Sequence, residues 1–284
     1  MSTISLTASM RSNLLSLQQT SDLMSQTQER LATGNKVNSA IDNPSSYYTA
    51  QSLNNRASDL NSLLDSMGQA ISTIQAADEG IEAITSFVEQ AKAVATSALD
   101  AKNHTERAEY MKQFNEIRDQ IDKLAKDSGY KGVNLIGGDS LTVTFNEDRT
   151  SNITITGKDA STAGLGIVEA KDWGKVADDD AGATPDELKA QDKAINDAID
   201  NITKATSTLR AMSSDLGNYY SIVETREDFT ENLVNVLEEG ADKLTLADMN
   251  EESANMLALQ TRQQLAINSL SLASQAAQSV LSLF

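Results

Sequence analysis

Cysteine is absent from this 284-residue sequence, and it contains only two prolines, one histidine and one tryptophan. Without cysteine there can be no disulfide framework and no thiolate metal site, and the redox clue to compartment is lost as well. Aromatic residues make up 4%. That is too few for a thick globular core, where Phe, Tyr and Trp supply much of the buried area. Thin helical layers, in which Ala and Leu mesh at close range, suit this composition better. No stretch approaches the roughly eighteen consecutive apolar residues of a membrane span. Met1 to Met10 also lacks the basic-then-apolar order of a cleaved signal peptide. The expectation is a cytoplasmic protein, or one exported by a route that uses no such signal.

Catalytic chemistry is missing too. The one histidine, His104, sits in the polar stretch Lys102-Asn103-His104-Thr105, with no carboxylate arrangement of a triad or metal site around it, and reads as solvated. Asp178-Asp179-Asp180 and Glu251-Glu252 lack the ligand spacing and the glycine of a calcium loop. Gly137-Gly138-Asp139 precedes a strand and reads as a turn rather than a phosphate cradle, and there is no serine nucleophile elbow. Asn-x-Ser/Thr triplets at Asn103, Asn152 and Asn201 are common by chance. The sequence therefore predicts no enzyme, no cofactor and no catalytic or metal-binding residue.

Basic clusters are lacking as well. The formal charge is -18, yet residues 1–60 are neutral, with four basic and four acidic side chains, and residues 249–284 carry one basic and two acidic. The acidity lies almost wholly between them. Such a middle repels nucleic acid and anionic membranes, which require clustered Lys and Arg, so neither is expected as a partner. Nearly neutral ends are what surfaces destined for burial look like.

What the sequence does contain is heptad periodicity. Met10, Leu17, Met24 and Leu31 recur every seventh residue, with Leu14 assigned to the same face, until Gly34. After a loop around Asn43-Pro44, Leu53, Leu60, Met67, Ile74, Ile81, Val88 and Ala95 form a second row, with Leu63, Ala70, Ala77, Ile84, Ala91 and Ala98 three residues on. A third helix, Thr105 to Lys126, carries Phe114, Ile117, Ile121 and Leu124 and closes at Ser128-Gly129. The period then changes to two. Leu141, Val143 and Phe145, then Ile153 and Ile155, alternate with threonines on either side of a polar turn, which predicts a β-hairpin. Residues 157–183, where Trp173 stands alone, read as irregular.

Thr184-Pro185-Asp186-Glu187 has the form of a capping box and opens a long helix. That helix carries Leu188, Ile195, Ile202, Leu209, Leu216 and Val223 every seventh residue. The residues from about Ala241 to Phe284 read as one uninterrupted amphipathic helix, with Met256, Leu259, Ala266, Leu270, Ala273, Ala277, Val280 and Phe284 on its stripe. An apolar stripe needs a partner, because an isolated helix in water is marginal. The two longest helices have matching lengths. The pattern therefore predicts a mainly α protein: an elongated antiparallel coiled-coil helix bundle with a small β-hairpin, its terminal helices projecting together from one end. The expected divisions are 1–44 and 243–284 for the terminal parts, 45–135 and 185–242 for rod helices, and 136–184 for the β-hairpin and irregular segment.

Several stretches resemble bacterial flagellin. Leu31-Ala32-Thr33-Gly34-Asn35-Lys36-Val37-Asn38-Ser39-Ala40-Ile41-Asp42-Asn43 is similar to the family's loop after its first helix, and Ala76-Ala77-Asp78-Glu79-Gly80-Ile81 to its second helix. Gly129-Tyr130-Lys131-Gly132-Val133-Asn134-Leu135 resembles its motif before the hairpin. The tail resembles it in Ala247-Asp248-Met249-Asn250-Glu251-Glu252-Ser253, Leu259-Gln260-Thr261 and Val280-Leu281-Ser282-Leu283. The likeness covers roughly residues 1–135 and 185–284, and the span between is too short for the large outer domains of many flagellins.

The resemblance implies a structural subunit that polymerises into the extracellular flagellar filament for motility, exported through the flagellar type III apparatus without a cleaved signal peptide, with the terminal helices of 1–44 and 243–284 paired as an inner assembly domain and 136–184 as the outer segment. Its implied partners are other flagellin subunits, hook-associated and cap proteins, and an export chaperone. Met10, Leu14, Leu17, Met24, Leu31, Met256, Leu259, Leu270, Ala273, Val280 and Phe284 are the expected subunit-assembly positions. Leu53, Leu60, Met67, Ile74, Ile81, Val88, Leu188, Ile195, Ile202, Leu209, Leu216 and Val223 are expected in the rod core. A hook-filament junction protein and an unrelated coiled-coil binding module are the alternatives.

Overall fold

The computed structural model describes residues 8–176 and 183–281. Asp178-Asp179-Asp180 and Phe284 lie outside the described residues, as do the side chains of Ala277 and Val280. Among the described residues, five helices and one hairpin follow in order: α1 (Ala8–Thr33), α2 (Pro44–Asp100), α3 (His104–Asp127), β1 (Ser140–Thr144), β2 (Asn152–Thr156), α4 (Pro185–Thr245) and α5 (Met249–Leu281). Among the described residues, no helix is long and apolar enough to cross a membrane. The chain forms two compact units, residues 1–57 with 235–284, and residues 58–234. The divisions fall at 57/58 and 234/235, further into the long helices than the expected 44/45 and 242/243.

In the unit of residues 58–234, the heptads become layers. On α2, Leu60, Met67, Ile74, Ile81, Val88 and Ala95 are buried, as are Ala70, Ala77, Ile84, Ala91 and Ala98 three residues on. Ile195, Ile202, Leu209, Leu216 and Val223 of α4 face the same core, while Leu188, at its first turn, is half-buried. The two helices run antiparallel, since the Ser213 hydroxyl donates to Asp78 (2.8 Å) while Glu227 reaches Gly68. The helix α3 returns along α2 and adds Phe114, Ile121 and Ala125. Alternating alanines keep the layers thin, so few aromatics are needed to fill them.

The capping box forms as the sequence indicates. The Thr184 hydroxyl and amide both donate to Glu187 Oε2, at 2.7 and 2.8 Å, and the Glu187 amide returns to Thr184 Oγ1 at 3.4 Å. In Gly129 to Leu135, Tyr130 and Val133 exchange backbone hydrogen bonds around a turn with Lys131 and Gly132 at positive φ. The Asn134 amide donates to the carbonyls of Ala125 and Lys126 at the end of α3, and its Oδ1 accepts from the amides of Ile136 and Gly137. That one side chain thus joins the helix end to the chain leading into the hairpin, which pairs Leu141 with Ile155 and Val143 with Ile153. Phe145, expected in the strand, lies just past β1, buried, with the Arg226 guanidinium 5.3 Å from its ring centroid.

The described part of 157–183 is irregular, as the sequence indicates, but it is packed rather than solvent-exposed. Ala160, Thr162, Leu165, Ile167, Ala170 and Trp173 are buried. Asp122 accepts from the amide and hydroxyl of Thr162, and Asn115 exchanges two hydrogen bonds with the backbone of Ala170. Trp173 is packed on Phe114, ring centroids 5.0 Å apart. The segment is a strap held by polar side chains of α3, and so it has no helical or strand period for a sequence pattern to reveal.

Gly80 and Gly217 make opposite demands. A Cβ at Gly80 would stand 2.5 Å from Ser128 Oγ and 2.8 Å from Ile136 Cδ1, whereas one at Gly217 meets nothing within 4 Å. Gly80→Ala is expected to destabilise, because an overpacking cost of about 1–3 kcal/mol exceeds the roughly 0.5–1 kcal/mol of helix propensity gained. Gly217→Ala is expected to stabilise by about that propensity. Chemical denaturation of the two variants checks the opposite signs.

Candidate assembly interface

The unit of residues 1–57 and 235–284 is built around two chain reversals. At the first, α1 stops at Gly34, whose φ of +77° suits a residue without a Cβ and whose amide donates to Arg30 O (2.8 Å). At the second, the expected continuous helix from Ala241 is broken: α4 ends at Thr245 and α5 starts at Met249. Asp248 causes the restart. Its Oδ1 accepts from the amides of Asn250 and Glu251, at 2.9 and 3.2 Å, and its carbonyl accepts from Glu252. Asp248 with Glu251 three residues on is a helix-start signal the periodicity reading passed over.

The reversals are joined through main-chain atoms. The amides of Lys36 and Val37 donate to Thr245 O, at 2.7 and 3.3 Å, and that of Ala247 donates to Gly34 O at 2.9 Å. Asn35 and Leu246 form an antiparallel bridge, and Lys36 Nζ donates to Lys243 O. Beyond it, Asp42 Oδ2 accepts from the amides of Asn38 and Ser39 and from the Ser39 hydroxyl, at 3.0, 2.9 and 3.2 Å. The backbone N–H groups of Asn38 and Ser39 hold the Asp42 carboxyl below its ordinary value of 3.8. Asn43 then caps α2 by accepting from the Ser46 amide, with Pro44 at the first helical position.

The helices α1 and α5 pack on one another. Their inward positions keep three-four spacing. On α1, Met10, Thr20 and Thr27 are buried, and Leu17, Met24 and Leu31 are half-buried; on α5, Glu252 and Leu259 are buried, and Met256, Gln263, Ala266, Leu270 and Ala273 half-buried. Arg30 Nη1 donates to Glu252 Oε1 across the seam at 2.9 Å. Most of the predicted assembly residues thus form an intramolecular seam. Among the described ones, Leu14 is the exception, at 39% exposure, because it lies one position off the seam row of Met10, Asn13 and Leu17. Of the predicted rod positions, Leu53 falls in this unit, half-buried near Gly240.

A second apolar set was not apparent from the heptads. Leu15, Leu23, Leu257, Leu265, Ile267 and Leu272 are all exposed, Leu272 to 67%. Leu265 and Leu272 share one heptad position, while Leu257 and Ile267 occupy two others, so α5 carries large apolar side chains on more sides than its seam stripe, set among polar ones. The missed signal was the leucines between the stripe positions, hidden by the many Ser, Asn and Gln around them.

Paired terminal helices joined through main-chain reversals, with large apolar side chains left outside their seam, define a helical protein that brings its two chain ends together. Residues 2–140 match the bacterial flagellin N-terminal helical region, and residues 193–284 match the bacterial flagellin C-terminal helical region. The chain is 30% identical to flagellin FljM of Caulobacter vibrioides over 274 residues, covering 95% of this chain and 94% of that protein. It is 29% identical to a flagellin of Brucella melitensis over 281 residues, covering 95% of each. The crystal structure of Bacillus cereus flagellin aligns with a TM-score of 0.46 at 14% identity, over 58% of this chain and 88% of that one. The chain belongs to the bacterial flagellin family.

The Asp42 clasp carries a pH signature. Its folded pKa is below 3.8, so its contribution is present above the unfolded value and lost as pH falls through the folded one. The amide proton resonances of Asn38 and Ser39 are expected to titrate with a midpoint below 3.8, and Asp42→Asn should abolish that titration. A midpoint at the ordinary carboxylate value would show that the clasp does not form in solution.

Proposed function

We propose that this chain is the structural subunit of a flagellar filament, exported through the flagellar type III apparatus and polymerising outside the cell with copies of itself. Hook-associated and cap proteins at the filament ends, and a chaperone before export, complete its partners. The observation that carries this reading is the exposed apolar surface of α5, beyond the stripe already covered by α1. Burying one leucine contributes about 1.5–3 kcal/mol, and four large aliphatic side chains on this helix have no cover within the seam.

The residues divide into two groups. Met10, Leu17, Met24, Leu31, Met256, Leu259, Leu270 and Ala273 hold the two helices of one subunit together. Leu14, with Leu15, Leu23, Leu257, Leu265, Ile267 and Leu272, makes the contacts between subunits. Contacts placed on several sides of one helix meet different surfaces of the neighbours, the head-to-tail kind of association that builds open helical polymers. The work of the protein is assembly, with no reaction to catalyse.

Purified chain seeded with short filament fragments is expected to extend them, seen by electron microscopy. A junction protein would not extend. Leu265→Lys or Leu272→Lys should each raise the critical concentration at least tenfold, the equivalent of about 1.4 kcal/mol. Deleting Leu257 to Phe284 should abolish growth while leaving the chain soluble and helical by circular dichroism; filaments from the truncated chain would overturn the reading.

A further inference from the structure

The α1–α5 seam carries its apolar side chains in repeating heptads, and a repeating seam is weakly specified along its own axis. Counted outward from Arg30 and Glu252 in antiparallel order, the inward positions meet as Thr27 with Met256, Met24 with Leu259 and Thr20 with Gln263. A slip of one heptad, about 10 Å at 1.5 Å per residue, would bring Leu259 opposite Leu17 or Leu31 instead. Small, polar and aliphatic residues would again face one another, and the stripe alone would barely distinguish the arrangements.

The main-chain joint of Gly34, Lys36 and Val37 with Thr245 and Ala247 tethers the pair at one end, and along the seam beside it Arg30 and Glu252 break that degeneracy. Glu252 is 7% exposed, and its Oε1 accepts from Arg30 at 2.9 Å, whereas Arg11, Asp22, Glu29, Glu251 and Arg262 of the same two helices are all exposed. A slip in one direction would set Glu252 against Met24, leaving a carboxylate in the seam without its cation. Each charge also lies at the favourable helix end: Arg30 in the last turn of α1, Glu252 in the first turn of α5. We infer that the Arg30–Glu252 pair is the register determinant of the terminal helix pair, fixing which outward leucines of α1 stand beside which of α5. The inference deepens the assembly reading, because a slipped seam would present neighbours with a scrambled surface.

The test uses the absence of native cysteine. In the full chain, Thr20→Cys with Gln263→Cys marks the native register, and Asn13→Cys or Thr27→Cys with Gln263→Cys marks the two slips. Disulfides form only when Cα atoms lie within about 7 Å. Intrachain closure is read as a mobility change on non-reducing gels, in the soluble chain and in seeded filaments. Closure of the native pair alone is expected. Replacing both charges, Arg30→Met with Glu252→Leu, removes the pair without stranding a charge. Helical content is expected to stay and a slipped pair to close.

The charge-reversed chain, Arg30→Glu with Glu252→Arg, should again close the native pair only. Three results would overturn the inference: slipped pairs that stay open in the apolar double variant, a slipped pair closing in the charge-reversed chain, or a native pair that closes in neither state. Failure to extend seeds would strike the filament reading instead, since the cross-links are also read in soluble protein.

Discussion

A helix with large apolar side chains on more than one side cannot be satisfied by one partner, and much of the unit formed by residues 1–57 and 235–284 follows from that constraint on α5. Pairing with α1 covers one stripe and leaves Leu257, Leu265, Ile267 and Leu272 outside. The seam itself is modest, with threonines, a glutamine and alanines among its larger side chains. Packing of this kind holds two helices together without making them a self-sufficient core. The reversals at Gly34 and Asp248 then have a clear task, because they bring the two helices into pairing with no large hydrophobic cluster to do it.

The unit of residues 58–234 solves a different problem. It has a core that one chain completes, running from Met67 through Ile81 and Val88 to Ile195 and Val223, with Trp173 of the strap after the hairpin packed against Phe114. Its layers are thin enough for alanine to serve as a core residue at Ala70, Ala77, Ala91, Ala95 and Ala98 of α2. The price is intolerance where layers touch most closely, as at Gly80. Much of the acidity faces solvent here, including the α4 run Glu224, Glu227, Asp228 and Glu231, where partial burial and the neighbouring charges raise the Glu227 pKa above its ordinary 4.5. Such a surface favours solubility over tight packing.

Much of this was legible from the sequence because coiled-coil packing is written in a repeat. The α2 row from Leu60 to Ala95 and the α4 row from Ile195 to Val223 are buried as their spacing indicates, and Thr184, Gly34 and Asn43 mark helix ends through local chemistry that needs no tertiary context. The strap from Ala160 to Trp173 was illegible because hydrogen bonds from Asn115 and Asp122, some forty to fifty-five residues away, determine it. The break at Asp248 was hidden because the apolar spacing hardly changes across it. The outward leucines escaped for another reason: a pattern search looks for one face, and this surface has several.

The joint between the two reversals is made of peptide groups. Gly34, Lys36, Val37, Thr245 and Ala247 contribute amides and carbonyls, while the side chain of Leu246, in the middle of that joint, is 48% exposed, and that of Ile41 in the adjoining loop is 94% exposed. An attachment encoded in main-chain geometry is robust to sequence drift. The side chains around it can diverge without loosening it, provided Gly34 keeps its left-handed turn and Asp42 its clasp. The connection between the terminal helices and the rest of the chain is therefore decoupled from the surface it displays, so selection can remodel that surface one residue at a time.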